Sequence, residues 1–218
     1  MMTVLMSIPM MTLMVTPMQN RPSRRTTVMG MISSLALVAV ARPAMAMTEA
    51  RAKGLVDGIV ADINKVIDSS SSEAQKIAQF EKIFVRYSDV PTIARYALGV
   101  DARRATKAQM NEFTKAFQVY VSRKYGKRFR EFIGGRIEVK KARKVKNFFE
   151  VKTIAHLRGE SPFEVTFLVS DRSGRDKFFN LFIEGVNMLL TERTEIGSML
   201  DRRRGDIDAL IRDLKAAS

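Results

Sequence analysis

Few side chains in this sequence have the chemistry that catalysis needs. His156 is the only histidine, and the chain contains no cysteine. Without cysteine, a disulfide scaffold, a thiolate metal site and a cysteine nucleophile are excluded. The sequence also lacks a G-x-S-x-G nucleophile motif and a phosphate-binding P-loop. We therefore predict no catalytic residues and no enzymatic activity.

His156 and Glu184 are the two side chains that an acid–base mechanism would use. His156 lies between Ala155 and Leu157 in a strand pattern, and a general base needs a positioned partner and a pocket. We expect a histidine at the surface or rim of the sheet instead. Glu184, beside Gly185, is expected to cap or pair near a strand exit. No His, Asp and Glu group has metal-ligand spacing, so we predict no metal and no cofactor.

The charge of the chain is strongly positive, with a formal net charge of +14. Basic residues cluster at 140–146 and again at 202–204. A nucleic-acid interface would combine such a face with stacking aromatics or a known motif, but the aromatics here follow the period of a core. We predict no nucleic-acid partner. The basic clusters are either a solvated surface or a surface that attracts anionic lipid head groups or acidic partners.

Residues 1–46 differ in composition from the rest of the chain. They contain four arginines and no acidic residue. Arg24 and Arg25 precede an apolar run at 28–40, and Ala44-Met45-Ala46 has the small-residue form of a cleavage site. This pattern predicts a signal peptide over residues 1–46, export to the periplasm and a single mature domain over 47–218. The run is short for a membrane span.

Three features of this leader leave alternatives open. An uncleaved anchor is the alternative to a cleaved signal peptide. The Arg24-Arg25 pair also permits export through the twin-arginine route, although Thr26 and Thr27 follow it. Translation starting at Met18 would remove the unusual stretch that precedes the basic region.

Helical patterns dominate the first part of the mature chain. The apolar spacing predicts helices over about 48–68, 72–87 and 89–98, and a longest helix from about 106 to 133. Ser72 with Gln75 and Thr106 with Gln109 form capping boxes that begin two of them. The longest helix carries one continuous, aromatic-rich apolar stripe, formed by Met110, Phe113, Phe117, Tyr120, Val121, Tyr125, Phe129 and Phe132.

The pattern then changes to the two-residue period of strands. Four strands are predicted over about 136–146, 148–158, 163–170 and 177–190. Their short connections favour an antiparallel meander. Two closing helices follow from Thr191, separated at Gly205, with Asp206 as the N-cap of the second. The fold class is therefore α+β, with N-terminal helices, a four-stranded antiparallel sheet and two C-terminal helices.

Two motifs resemble those of the MlaC-type (toluene-tolerance) periplasmic lipid carriers. In that family the last strand leads into E-G-V-S, then an arginine and two closing helices. Glu184-Gly185-Val186 and Arg193 match, whereas Asn187 replaces the serine, Asn180 stands near a usual Tyr-Asp pair and Ile196 replaces an aromatic. A second family pattern precedes the meander, and its matching residues here are Arg95, Leu98, Gly99, Arg103, Thr106, Gln109, Phe113 and Phe117.

This resemblance implies a fold and a function. The implied fold is NTF2-like, with a curved sheet and helices around an apolar cavity. The implied function is a soluble periplasmic carrier that exchanges phospholipid between an inner-membrane ABC transporter complex and an outer-membrane lipoprotein complex, with transient membrane contact. Three alternatives stay open: a carrier of another apolar lipid such as a hopanoid, an NTF2-like enzyme with His156 or Glu184 as base, and a basic adaptor that binds membranes without holding lipid.

A carrier must offer an apolar cavity as large as its cargo. Two acyl chains of about 16 carbons expose about 30 CH₂ groups, and their transfer to water costs roughly 25 kcal/mol. Enough apolar area is expected only where the stripe of the longest helix faces the meander. We therefore predict these lipid-binding residues: Phe113, Phe117, Val121, Tyr125, Phe129, Phe163, Val165 and Phe167.

Overall fold

The computed structural model describes residues 46–127 and 135–217. The predicted signal peptide up to residue 45, and the predicted lipid-binding residue Phe129, lie outside these ranges. The helices of the described part are α1 (Glu49–Ile67), α2 (Glu73–Tyr87), α3 (Val90–Leu98), α4 (Lys107–Gly126), α5 (Met188–Arg202) and α6 (Ile207–Ala216), with a 3₁₀ helix at Gly99–Arg103. The strands are β1 (Arg136–Val145), β2 (Phe148–His156), β3 (Phe163–Ser170), β4 (Lys177–Ile183) and β5 (Val186–Asn187).

Three of the six described α-helices begin at the N-cap residues that the sequence predicts. The Ser72 and Thr106 capping boxes are both formed, with each cap and its glutamine bonding reciprocally. The side chain of Asp206 accepts from the backbone N–H of Ala209 and begins α6. Helix α4 ends at Gly126 rather than near 133, and residues 128–134 are not described.

The five strands form one antiparallel sheet in the order β1-β2-β3-β4-β5. The α+β class is confirmed, but the predicted strand over 177–190 is wrong beyond Ile183. Glu184 and Gly185 have φ values of 49° and 80°, so they form a turn that reverses the chain. The reversed chain pairs Val186 with Ile183 as a fifth strand, and α5 begins at Met188.

One face of the sheet is apolar, as the alternation predicts. In β2 and β3, Val151 is opposite Phe167 and Ala155 is opposite Phe163. The register shifts between Leu168 and Val169, which places Phe178 opposite Val169 while Leu181 lies opposite Phe167. This bulge explains why β4 supplies residues from both of its alternating sets. A second register shift lies in β1, between Val139 and Lys141.

Helix α1 covers the sheet, packing on β1, β2 and β3, while α3 and α5 pack on β4. The described part of α4 packs mainly on α2, α3 and α6. The expectation that α4 lies directly against the meander is therefore wrong for this part. The reason is that α1 has its own broad apolar face, including Val56 and Ile59, and this face occupies the sheet.

Candidate functional site

The predicted stripe of α4 is deeply buried. Phe113 and Phe117 are both 0% exposed, and Val121 is 5% exposed. The two phenylalanine rings stack with centroids 5.8 Å apart and planes 28° from parallel. Tyr125, one turn after Val121, is half-buried. The helical spacing therefore identifies an interior face.

The predicted residues of β3 lie on the apolar face of the sheet. Phe167 is buried and meets the ring of Phe178 edge-on at 5.8 Å between centroids. Val165, opposite Thr153, and Phe163, opposite Ala155, are half-buried. The apolar face is thus closed around Phe167 and more open toward the start of β3.

The structure joins most of these residues in one hydrophobic core. Phe113, Phe117, Val121 and Phe167 are members of it, and Val165 and Tyr125 pack against it. Phe163 is not among those members, so the β3 end of the predicted site is less enclosed. The role of these residues in binding lipid stays a prediction.

A polar cluster that the sequence analysis did not find lies where the C-terminal half of α4 meets α5. The Lys124 ammonium is 2.8 Å from Glu192 Oε1 and also pairs with Glu195. The Tyr120 hydroxyl donates to Glu195, and the Tyr125 hydroxyl donates to Glu192. Glu192 is only 4% exposed. We call these five residues the α4–α5 cluster; it connects the two helices by long side chains.

Burial and mutual pairing shift the ionisation of this cluster. Burial, followed by the hydrogen bond to Glu195, raises the pKa of Tyr120, and burial with the Glu192 bond raises the pKa of Tyr125. Burial alone would lower the pKa of Lys124, but its bonds to both carboxylates outweigh burial and raise it. Burial alone would raise the pKa of Glu195, but its hydrogen bonds from Lys124 and Tyr120 outweigh burial and lower it. At neutral pH, Lys124 and Glu195 are therefore charged and paired, while the hydroxyl groups of Tyr120 and Tyr125 stay protonated.

The spacing of the cluster residues contains a signal that sequence reasoning can use. Tyr120 and Lys124 are four residues apart in α4, and Glu192 and Glu195 are three apart in α5. Such pairs share a helix face. Each pair lies beside a buried stripe of its helix. A charged side chain at such a position on one helix therefore predicts an oppositely charged side chain on the helix that packs against it. The apolar stripe predicted from the sequence includes Tyr120 and Tyr125, but it does not indicate that their hydroxyl groups donate to carboxylates.

A separate groove lies between α3 and the first half of α4. Its volume is about 390 Å³, and it is lined by Pro91, Arg95, Met110, Asn111, Thr114 and Lys115. None of the seven predicted lipid-binding residues that the structure describes lines it. The groove is therefore not the predicted cavity.

The comparisons with known proteins agree with this architecture. The family model described as MlaC protein matches residues 53–216. The chain belongs to the MlaC family. No curated protein matches the chain significantly.

One solved structure with the same fold comes from Ralstonia solanacearum. It is described as a phospholipid-binding protein in complex with a phospholipid. Its TM-score is 0.65 at 17% identity, with 76% of this chain and 96% of that chain covered. At this identity the likeness shows the shared fold.

Two positions that depart from the MlaC family pattern lie side by side. The Asn180 amide donates to Asn187 Oδ1 at 2.9 Å, and Asn180 Oδ1 accepts from the N–H of Leu189 at 3.0 Å. Asn187 is also the N-cap of α5, accepting from Leu190 N–H. Together they replace the usual residues with one amide pair that fixes the start of α5 on β4.

Two positions that match the MlaC family pattern also meet. The Arg193 guanidinium lies 5.1 Å from the centre of the Tyr96 ring. Gly99 has φ 68° and ψ −136°, and a Cβ there would come 3.3 Å from the Arg193 guanidinium. Glycine thus satisfies both the backbone conformation and the close approach of Arg193. This contact joins the end of α3 to α5.

His156 and Glu184 do not form an acid–base pair. His156 Nε2 is 3.6 Å from Glu138 Oε2 and has no hydrogen-bond partner among the described residues. Glu184 is exposed in the β4–β5 turn, and the described residues offer its carboxylate no ion pair or cap, so that expectation is wrong. Among the described residues, no group of three or more His, Cys, Asp or Glu side chains is arranged to hold a metal.

None of the helices in the described ranges combines the length and the hydropathy that crossing a bilayer requires.

Proposed function

We propose that this MlaC family member is a periplasmic phospholipid carrier without catalytic activity. The observation that supports the proposal most strongly is the family match over residues 53–216, since the fold is shared with a protein solved in complex with phospholipid. The proposal also specifies the route of the lipid between the two membranes. The carrier exchanges lipid between an inner-membrane ABC transporter complex and an outer-membrane lipoprotein complex, with transient contact at membrane surfaces.

The proposed cargo site is the apolar interior bounded by α4 and β3. Phe113, Phe117 and Val121 from α4 and Phe167 from β3 belong to one core, and half-buried Val165 and Phe163 extend it along the sheet. Acyl chains need a water-free apolar surface, because each buried CH₂ contributes about 0.8 kcal/mol. A change that introduces charge into this interior opposes lipid binding, since the ion loses its hydration.

Phospholipid transfer between vesicles tests the proposal. Donor vesicles carry a fluorescent phospholipid, acceptor vesicles carry a quencher, and the protein is expected to accelerate transfer. Val121→Glu is expected to lower both the transfer rate and the bound lipid while a melting curve still shows a folded domain. Val85→Glu is the matched control, because Val85 is 40% exposed on α2 and the same change there should leave transfer intact.

Three results would contradict parts of the proposal. A chain that transfers no phospholipid but binds a hopanoid would identify another lipid as cargo. Unfolding by Val121→Glu would show that Val121 packs against protein side chains and does not border the cargo, since an unpaired buried charge costs several kcal/mol. An intact fold with unchanged lipid content would mean that the cavity lies elsewhere.

Export is tested separately from cargo. N-terminal sequencing of the protein recovered from the periplasm is expected to begin at Met47, because Ala44 and Ala46 match the small-residue cleavage pattern. Retention of residues 28–40 in the mature protein would contradict a carrier that moves freely between membranes.

A further inference from the structure

The two ends of the sheet differ in charge. In an antiparallel meander the β1–β2 turn (146–147) and the β3–β4 turn (171–176) lie at the same end. The two turns are two strand spacings apart, or about 10 Å. Four exposed cations lie at this end, and we call them the hairpin cations: Lys144, Lys146, Arg172 and Arg175.

The hairpin cations have no ion-pair partner among the described residues, because the nearby carboxylates are engaged elsewhere. Asp176 pairs with Arg51 at 2.7 Å, and Glu150 accepts from Arg143 at 2.6 Å. Two further carboxylates hold backbone groups: Asp171 Oδ2 accepts from the N–H of Met47 at 2.9 Å, and Glu49 Oε1 accepts from the N–H of Lys144 at 3.2 Å. The acids at this end therefore fix the fold, and the four cations are available to a partner.

The positive surplus at this end also affects a neighbour. Lys177 begins β4 and donates to backbone carbonyls at the end of α2. Burial first, and the charge of Arg175 second, lower the pKa of Lys177. The described turns at the opposite end of the sheet hold one basic residue, Arg158, and two acidic residues, Glu160 and Glu184, so those turns carry no positive surplus.

Protection of the sheet edge does not account for three of the four hairpin cations. Charged residues on an edge strand prevent pairing between sheets of different molecules, and this explains the lysines within β1. Lys146, Arg172 and Arg175, however, lie in turns rather than along the edge. No ion pair within the described fold explains why these three side chains are exposed.

We propose that the hairpin cations form the surface by which the chain docks on an anionic phospholipid bilayer. This proposal rests on the proposed function, since a carrier must approach a membrane to load or release lipid. The turns contain Asn, Ser, Gly, Asp, Lys and Arg but no apolar residue. Stable protein interfaces centre on buried aromatic or aliphatic anchors, which these turns lack. A layer of mobile head-group phosphates needs no such anchor, because each Lys or Arg contributes independently.

Flotation of the full exported chain with vesicles tests the docking surface. The vesicles are phosphatidylcholine alone or phosphatidylcholine with phosphatidylglycerol, at low and at high salt. The protein should bind the anionic vesicles at low salt and be released by high salt. The variant with Lys144, Lys146, Arg172 and Arg175 all changed to Gln should bind them about 600-fold more weakly, at about fivefold per charge.

A matched control removes the same number of exposed charges from the helices. It changes Lys82, Lys107, Arg103 and Arg212 to Gln; none of these has an ion pair in the described fold, and binding should fall far less. Equal loss in both variants would overturn the docking surface in favour of a net-charge effect. Failure of the unmodified chain to prefer anionic vesicles would overturn it in favour of an acidic protein partner.

Two further measurements separate this proposal from the proposed function. The double variant Arg172→Glu/Arg175→Glu should abolish vesicle binding, and its melting curve should match that of the unmodified chain. Bound phospholipid in the same samples, measured by mass spectrometry, should be unchanged in every variant. Absence of bound lipid in the unmodified chain would contradict the cargo, whereas unchanged vesicle binding by the double variant would contradict only the docking surface.

Discussion

The α4–α5 cluster and the hairpin cations use charge in opposite ways. In the cluster, Lys124 is held between two carboxylates and Glu192 is almost fully buried. At the hairpin end, four cations are exposed and unpaired within the described residues. The sequence alone shows only that both regions contain charged residues and does not distinguish them. The comparison teaches that burial and pairing decide whether a charge stabilises the fold or is available for binding.

The largest difference is expected on removing one lysine from each region. Lys124→Met leaves Glu192 buried with only Tyr125 as its partner, so the free energy of unfolding should fall. We expect about 3 kcal/mol, the lower end of the range for a broken buried pair, because the Lys124 side chain is still 29% exposed. Urea unfolding at pH 7 measures the change.

Lys144→Met is the matched control for Lys124→Met. Lys144 is exposed and its side chain has no ion pair in the described fold, so the free energy of unfolding should change by less than about 0.5 kcal/mol. Similar losses in the two variants would remove the distinction between the two regions.

Alkaline pH should weaken the α4–α5 cluster. Tyr120, Tyr125 and Lys124 have folded pKa values above their ordinary values. The folded chain therefore binds more protons than the unfolded chain above about pH 10, so the free energy of unfolding is retained below that pH and falls as the pH rises further.

Tyr125→Phe sharpens this alkaline test. It removes one titrating group. The loss of free energy of unfolding with rising pH, above about pH 10, should therefore be smaller by up to about 1.4 kcal/mol per pH unit. Tyr96→Phe is the control, since the Tyr96 hydroxyl makes no hydrogen bond to a described residue. Denaturant titrations across this pH range measure the free energy of unfolding of both variants. The same dependence on pH in the two variants would contradict the assignment of Tyr125 to the titrating cluster.

A smaller effect is expected within the hairpin end itself. Arg51 pairs with Asp176 across an exposed surface, whereas Arg172 has no ion pair in the described fold. Exposed pairs contribute little, so Arg51→Gln should cost about 0.5–1 kcal/mol and Arg172→Gln close to zero. Thermal unfolding at low and high salt checks this, because only the Arg51 effect should decrease with salt. A larger loss in Arg172→Gln would mean that the hairpin cations stabilise the fold.

The smallest effect is expected at His156, which belongs to neither region. Among the described residues, the one ion-pair partner near its ring is Glu138, whose Oε2 lies 3.6 Å from Nε2. His156→Ala should leave bound lipid and transfer unchanged, with a stability change within about 0.5 kcal/mol. Loss of function in a folded variant would support the enzyme hypothesis instead.

Local patterns predict much of this fold because they depend on neighbours in the chain. The Ser72 and Thr106 capping boxes involve residues three apart, and β3 occupies its predicted range of residues. The end of β4 was missed because the turn at Glu184 requires a left-handed backbone in a non-glycine residue, which composition does not indicate.

Contacts between distant segments explain what the sequence did not predict about the site. The burial of Phe113 and Phe117 follows from helical spacing, but their neighbours do not. Only the tertiary arrangement shows that α1 rather than α4 covers the sheet. The pairing of Lys124 with Glu192 joins residues 68 positions apart, and no periodicity within one helix specifies such a partner.

The lipid content of the native protein tests the central claim most directly. The chain is purified from the periplasm without detergent, extracted with organic solvent and analysed by mass spectrometry. We predict stoichiometric phospholipid, retained in the variant that lacks the four hairpin cations and reduced in Val121→Glu. A folded, unmodified protein that contains no lipid, and takes up none from vesicles, would contradict the carrier function.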